Sequence, residues 1–274
     1  NEYVIPTFEG LMSSETGFLK TMRHLLALLE KECGFPVDIE FAADEDHLYL
    51  LQCRAQSSWE QTEAVHLTER PEPNDVLFTA DKYISDGFIP EITHIVYVDP
   101  MEYDSLKEMK DLVAVGKTVG RLNGILSKKS FVLMGPGRWG SRGDIKLGVQ
   151  VTYSDINNTA VLIEMAFRKG SYVPDLSFGT HFFQDLVEAG IRYLPLYPDD
   201  SNVIFKREFF EENENVLCHL LPDCTGLSHV VKVIDVKAST GGRILRIAMS
   251  GDEGEAIAYL VSDDNSMQEG PELV

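Results

Sequence analysis

Nowhere in this sequence do about 18 consecutive apolar residues occur, the run a membrane-crossing helix needs, and no signal peptide opens the chain. Basic charge is scarce as well. Lys and Arg number 24 against 44 Asp and Glu, a formal net charge of −20. That balance excludes an ordinary nucleic-acid binder, so neither nucleic acid nor a membrane is expected as a partner, and a cytoplasmic protein is expected. Cysteine is sparse: Cys33, Cys53, Cys218 and Cys224 form no Cys-x-x-Cys pair. Thiols of that number and spacing fit a reducing compartment rather than a disulfide framework. The first residue is Asn1 rather than Met, which reads as a piece of a longer chain.

The 274 residues, 44% of them hydrophobic, suffice for one large or two modest domains with a buried core. Thr16 to Cys33 carries Phe18, Leu19, Met22, Leu25, Leu26 and Leu29 at helical spacing, and Gly34 then stops the helix. Pro36 to Arg54 follows as two apolar runs on either side of an acidic turn, the pattern of a β-hairpin. Alternation sets Asp38 and Glu40 on one face of the first strand and Ile39 and Phe41 on the other. Gln52 and Arg54 share a face of the second strand. A turn centred on Glu45 would place Asp38 opposite Gln52 and Glu40 opposite Leu50. Two carboxylates, an amide oxygen and a guanidinium on one surface suit Mg²⁺ and a phosphate. The plainer alternative is a solvated strand face on which Arg54 pairs with Asp38.

Val37-Asp38-Ile39-Glu40-Phe41-Ala42, followed by Leu48-Tyr49-Leu50-Leu51-Gln52-Cys53-Arg54, resembles the end of a known nucleotide-binding domain. It is that of phosphoenolpyruvate synthase and pyruvate phosphate dikinase, and the resemblance extends over residues 15–56. In that ATP-grasp family the Glu and Gln at these places hold Mg²⁺ on the ATP phosphates, and the Arg meets the transferred phosphoryl group. The resemblance therefore implies ATP and Mg²⁺ as cofactors, with Glu40 and Gln52 as metal ligands, Asp38 supporting them, and Arg54 catalytic. Such positioning and charge neutralisation are most of what phosphoryl transfer asks of a protein. The phosphate-gripping loop that such a site draws from its first half is absent from these residues. The resemblance thus implies one wall of a site, inactive alone, with the N-terminal half of the nucleotide domain as its partner.

Four blocks are expected: residues 1–58 as the C-terminal piece of an ATP-grasp domain, 59–93 as a linker, 94–262 as an α/β module, and 263–274 as an acidic tail. The linker reading rests on Glu60, Glu63, Glu69 and Glu72 with Pro71 and Pro73. In the module, strands are expected at 94–98, 130–134, 148–153, 160–167 and 191–196. Helices are expected at 103–126 and 180–189, with 203–221 ambiguous. A hairpin around Gly241-Gly242 should join 230–236 to 243–249, followed by an apolar element at 256–260. Strand, helix, strand within about forty residues implies a βαβ unit with a parallel pair. The fold class is α/β (mixed α+β): an ATP-grasp hairpin fragment followed by a mixed-sheet module.

The strand expected at 130–134 runs into Gly135-Pro136-Gly137-Arg138-Trp139-Gly140-Ser141-Arg142-Gly143. Ligands bind at the carboxyl edge of open α/β sheets, where free N–H groups of a glycine-rich turn can cradle an anion. Arg138 and Arg142 would add bidentate donors, and Trp139 a flat face for a ring. The stretch has no Gly-Lys-Ser/Thr ending and is not a Walker A loop. Residues 113–150 hold Lys117, Arg121, Lys128, Lys129, Arg138, Arg142 and Lys146 against Asp144 alone, a basic island of +6. A small phosphorylated or carboxylic anion is the ligand this island implies; a tight turn with solvated arginines is the bland reading. His181, after a cap at Ser177 or Thr180, stands in the first turn of a helix as a ligand contact or a satisfied histidine beside Phe182 and Phe183. The resemblance to dikinases, which relay phosphate through a histidine after a Gly- and Thr-containing turn, implies a catalytic phosphoryl acceptor there.

The region also resembles the C-terminal part of a group of bacterial phosphoenolpyruvate-synthase-like proteins. That likeness rests on residues 96–100, on Gly135 to Ser141, and on Gly179-Thr180-His181-Phe182-Phe183-Gln184. The expected function is an ATP-dependent phosphotransferase related to phosphoenolpyruvate synthase. The alternative is a noncatalytic ligand-binding or assembly module beside a degenerate ATP-grasp remnant.

Overall fold

A computed structural model describes residues 17–34, 37–44, 47–55, 70–140, 148–168 and 174–263. The chain divides into two units, 1–58 and 59–274. Both mix helix and strand, an α/β fold. The tail expected at 263–274 lies, beyond Asp263, outside the described residues.

In the first unit, α1 (Phe18–Cys33) precedes the antiparallel pair β1 (Val37–Ala43) and β2 (Leu48–Ala55). Gly34 ends α1 at φ 80, and its N–H returns to the Glu30 carbonyl. Phe18 reaches Phe41 at a ring separation of 5.8 Å, so α1 packs on the face that carries Ile39 and Phe41. None of the α1 side chains is fully buried.

The second unit has three layers. Its central sheet runs β8-β7-β6-β5-β9, with β5 (His94–Val98), β6 (Phe131–Pro136), β7 (Val161–Met165) and β8 (Arg192–Leu196) parallel. β9 (Val231–Asp235) pairs antiparallel with β5 at one edge. The second sheet is antiparallel, in the order β3-β11-β10-β4. It consists of β3 (Val76–Ala80), β4 (Gly87–Ile92), β10 (Arg243–Ser250) and β11 (Glu255–Ser262). Alternation in the central strands explains the layering. Val96, Phe131, Leu133, Leu162 and Tyr193 join the core under the helices. Ile95, Val132, Met134, Ile163 and Leu194 join Leu77, Ile92, Leu245 and Ala258 in the core between the sheets. Strands buried on both faces read as continuous apolar runs, which is why they were visible in the sequence.

Several expectations are corrected. Residues 59–93 are not a linker throughout, because β3 and β4 are strands of the second sheet. The helix expected at 103–126 is two, α2 (Pro100–Ser105) and α3 (Met109–Ile125). The Asp99 side chain accepts from the Met101 and Glu102 N–H groups and starts α2, with Pro100 fitting its first position. Residues 148–153 form no strand, only a bridge from Gly148 to Gly137. β9 and β10 form no hairpin either: α7 (Val236–Thr240) carries the chain from one sheet to the other. The ambiguous segment holds α5 (Arg207–Glu212) and α6 (Leu217–Leu220), while α4 (His181–Glu188) joins β7 to β8.

Gly116, which lowers the helix propensity of α3, has a packing reason. A Cβ there would lie 2.1 Å from the Gln150 carbonyl oxygen. Alanine would gain about 1 kcal/mol of helix propensity, yet the backbone of 148–151 would have to move. We expect Gly116→Ala to cost roughly 1–3 kcal/mol net, read as a lowered urea midpoint.

Candidate functional site

Two places carry the chemistry that the sequence points to. The first is the face of the hairpin away from α1. The observed register pairs Asp38 with Arg54 and Glu40 with Gln52, not Asp38 with Gln52 and Glu40 with Leu50 as a turn centred on Glu45 would require. An irregularity between Glu40 and Phe41 causes the difference. Phe41 pairs with Leu50, so Leu51 is an extra residue in β2. The bulge keeps Asp38, Glu40 and Gln52 on one side and brings the Glu40 carboxylate and the Gln52 amide directly across the ladder from each other. Arg54 holds the register position opposite Asp38. A carboxylate and an amide oxygen at facing positions form a hard-oxygen pair, the donor type that Mg²⁺ takes alongside water and phosphate oxygens. Among the described residues no group of three His, Cys, Asp or Glu side chains is placed to hold a metal ion by itself.

The second place is the carboxyl edge of the parallel strands. Here Glu164, fully buried, is a node that the sequence reading missed. Its Oε1 accepts from the Trp139 N–H at 2.7 Å and the Ser177 hydroxyl at 2.6 Å. Its Oε2 accepts from the Ser177 N–H at 2.5 Å and the Tyr193 hydroxyl at 2.8 Å. One carboxyl group thus ties together the turn after β6, the segment before α4, and β8. Burial pushes the Glu164 carboxyl up to about 7, opposed by the hydrogen bonds from Ser177, Tyr193 and Trp139. The signal was present in Val161-Leu162-Ile163-Glu164-Met165, a single charge inside an apolar run that must be buried on both faces.

That node changes the reading of the glycine-rich turn. Trp139 has no exposed surface and belongs to the core under the helices, so it offers no face to a ring. Gly135 is where Trp139 and Val98 pack: a Cβ there would stand 2.8 Å from the indole and 2.9 Å from Val98. Gly137 donates its N–H to the Met165 carbonyl at 2.9 Å, and Gly140 lies at φ 68 under the Phe182 ring. These glycines permit close internal approach. Arg138 stays at the edge, half-buried, and Ser141 and Arg142 lie outside the described residues. The Gly140–Phe182 contact brings the turn to the first turn of α4. There the Thr180 hydroxyl caps the helix by accepting from the Phe183 N–H, and His181 is exposed. Thr180, not Ser177, is therefore the cap.

The basic island does not survive folding as one surface. Lys128 and Lys129 precede β6, and Arg138 follows it, at the opposite end of the strand. Lys129 donates to the Gly190 carbonyl at 3.0 Å, beyond the end of α4, and its amine falls to about 8 through burial and then the nearby Lys128 and Arg192. Arg121 on α3 makes a two-point ion pair with Asp223 at 2.6 and 3.0 Å.

Other residues stand where sequence reasoning did not look. Arg168, after β7, and Lys82, after β3, both meet the Asp200 carboxylate that follows β8. Lys82 also lies 4.4 Å from the centre of the Tyr197 ring. The lysine contact holds the Asp200 carboxyl below the usual carboxylate range, with Arg168 adding to it. Beside them is a cavity of about 330 Å³ lined by Tyr83, Ile84, Asp86, Phe178 and Phe183, with Tyr83 and Phe178 stacked at 4.5 Å. These positions come from four separate segments, and no local motif joins them. Among the described residues no helix is long and apolar enough to cross a membrane.

Comparison with known families adds one finding. Residues 10–74 match the pyruvate phosphate dikinase AMP/ATP-binding domain, a span that contains the whole hairpin. No curated protein and no solved structure matches the chain.

Proposed function

We propose that the hairpin is one wall of a Mg²⁺-ATP site in an ATP-dependent phosphotransferase related to phosphoenolpyruvate synthase. The observation that carries this reading is the register. Within the span similar to an AMP/ATP-binding domain, Glu40 pairs with Gln52 and Asp38 pairs with Arg54 in the ladder. Glu40 and Gln52 would hold the metal, which when bound neutralises the phosphate charge. Arg54 would meet the transferred phosphoryl group, and Asp38 would orient Arg54. The described part of this unit leaves apolar surface uncovered, with Leu51 64% exposed and Leu50 43% exposed. That favours a wall completed by further protein over a self-sufficient site.

The second unit, on this reading, binds a small phosphorylated or carboxylic anion at the carboxyl edge of its parallel strands. Arg138, Arg142 and His181 remain its candidate contacts, and Lys82 and Arg168 are added to them. The packing of the glycine turn against Trp139 and Phe182 equally suits a noncatalytic ligand or assembly module. The deciding experiment is Mg²⁺-dependent ATP binding and turnover by the intact protein and by its Glu40→Ala variant. Binding that weakens at least about tenfold in the variant supports the phosphotransferase. An intact protein that neither binds nor turns over ATP supports the noncatalytic module.

A further inference from the structure

The face of β2 opposite the proposed nucleotide wall carries Cys53, between Gln52 and Arg54 in sequence. Cys53 pairs in register with Ile39, on the side of the hairpin where α1 packs. Cys33 is the last residue of α1 before Gly34 turns the chain back toward β1. That register and the end of α1 make the two thiols neighbours. Both cysteines are exposed, while Cys224 is buried and Cys218 half-buried. The first unit therefore holds two accessible neighbouring thiols, one on the helix and one on the strand, separated by nineteen residues of intervening chain.

We propose that Cys33 and Cys53 are a redox modification site, forming a reversible disulfide that clamps the end of α1 onto β2. Access and a neighbouring second thiol are what separate redox-responsive cysteines from inert ones. The oxidant is a low-molecular-weight disulfide. The Cys33 thiolate attacks one of its sulfurs and releases one small thiol, leaving a mixed disulfide. Cys53 then gives up its proton, attacks the Cys33 sulfur, and releases the second small thiol. One sulfur–sulfur bond breaks in the oxidant and one forms in the protein; two electrons and two protons pass to the released thiols. The clamp does not depend on the nucleotide reading, although it acts on the strand that carries Gln52 and Arg54.

The test incubates the native protein with oxidised glutathione and maps its peptides without reduction. The wild type should give a Cys33–Cys53 cross-linked peptide, two hydrogens lighter than the free pair, with no retained glutathione and reversal by dithiothreitol. Cys33→Ser should instead retain glutathione on Cys53, and Cys53→Ser should retain it on Cys33. Hydrogen exchange of the β2 amides should slow about tenfold in the oxidised wild type. Wild-type protein in which the two thiols stay free, keep stable adducts, or link to Cys218 or Cys224 would overturn the proposal. So would a cross-linked protein whose β2 exchange is unchanged.

Discussion

Glu164→Ala should lower the stability of the second unit by roughly 3–5 kcal/mol, a large share of the 5–15 kcal/mol typical of a domain. The substitution leaves the Trp139 and Ser177 N–H groups and the Ser177 and Tyr193 hydroxyls without their buried acceptor. It also opens a void in a core with no exposure at that point. Urea denaturation followed by circular dichroism measures the effect. An unchanged midpoint would mean that the three segments are held by something other than this carboxyl group.

Glu164→Gln separates charge from shape. The folded carboxyl, near 7, lies above the 4.5 of the ordinary group. A raised carboxyl pKa contributes stability that is complete below about 4.5 and is lost as pH rises through 7, because the folded state retains the proton longer than the unfolded one. Gln cannot titrate. The advantage of the wild type over Glu164→Gln should therefore shrink by about 3 kcal/mol between pH 4.5 and pH 7, at 1.36 kcal/mol per unit. A difference that stays flat across this window would show that the four donors keep the group ionised throughout.

The second large effect is on turnover. If Arg54 meets the transferred phosphoryl group, Arg54→Ala in the intact protein should lower the rate of phosphoryl transfer by about 10² to 10³ with a smaller change in ATP binding. Arg54→Lys keeps the charge but loses the two-point fork, and should recover only part of the rate. Glu40→Ala should show the complementary pattern, weaker Mg²⁺-ATP binding that excess Mg²⁺ partly restores. The split between the two variants is the diagnostic result. Equal loss of binding and rate in both would mean that the hairpin serves as structure alone.

How far each site could be read from the chain depended on whether its residues are local. The hairpin motif lies within Pro36 to Arg54, and both the face of each strand and the likeness to a nucleotide-binding domain were open to inspection. The partners of Glu164 come from positions 139, 177 and 193, and the acceptor itself is a single letter in a strand. The Lys82–Asp200–Arg168 cluster likewise joins residues more than thirty positions apart. The basic island is no single surface because charges close together in sequence lie at opposite ends of an intervening strand. Six residues of extended strand span about 20 Å, and β6 sets Lys129 and Arg138 at its two ends.

The sequence by itself determined the periodic features. These are the parallel strands as apolar runs, α1 as an amphipathic helix ended by Gly34, α4 as a helix before Gly190, and the alternation that keeps Asp38 and Glu40 apart from Ile39 and Phe41. Each follows from side-chain direction along one element, which local spacing fixes. Tertiary structure alone decided the pairings. An extra residue at Leu51 set the register that places Glu40 across from Gln52. Packing under the helices took Trp139 out of reach of any ligand. The need to satisfy a buried carboxyl group gathered three segments around Glu164, and the fold of a helix onto a strand brought Cys33 near Cys53. Register, burial and hydrogen-bond satisfaction depend on which distant segments meet, and no window of local sequence contains that information.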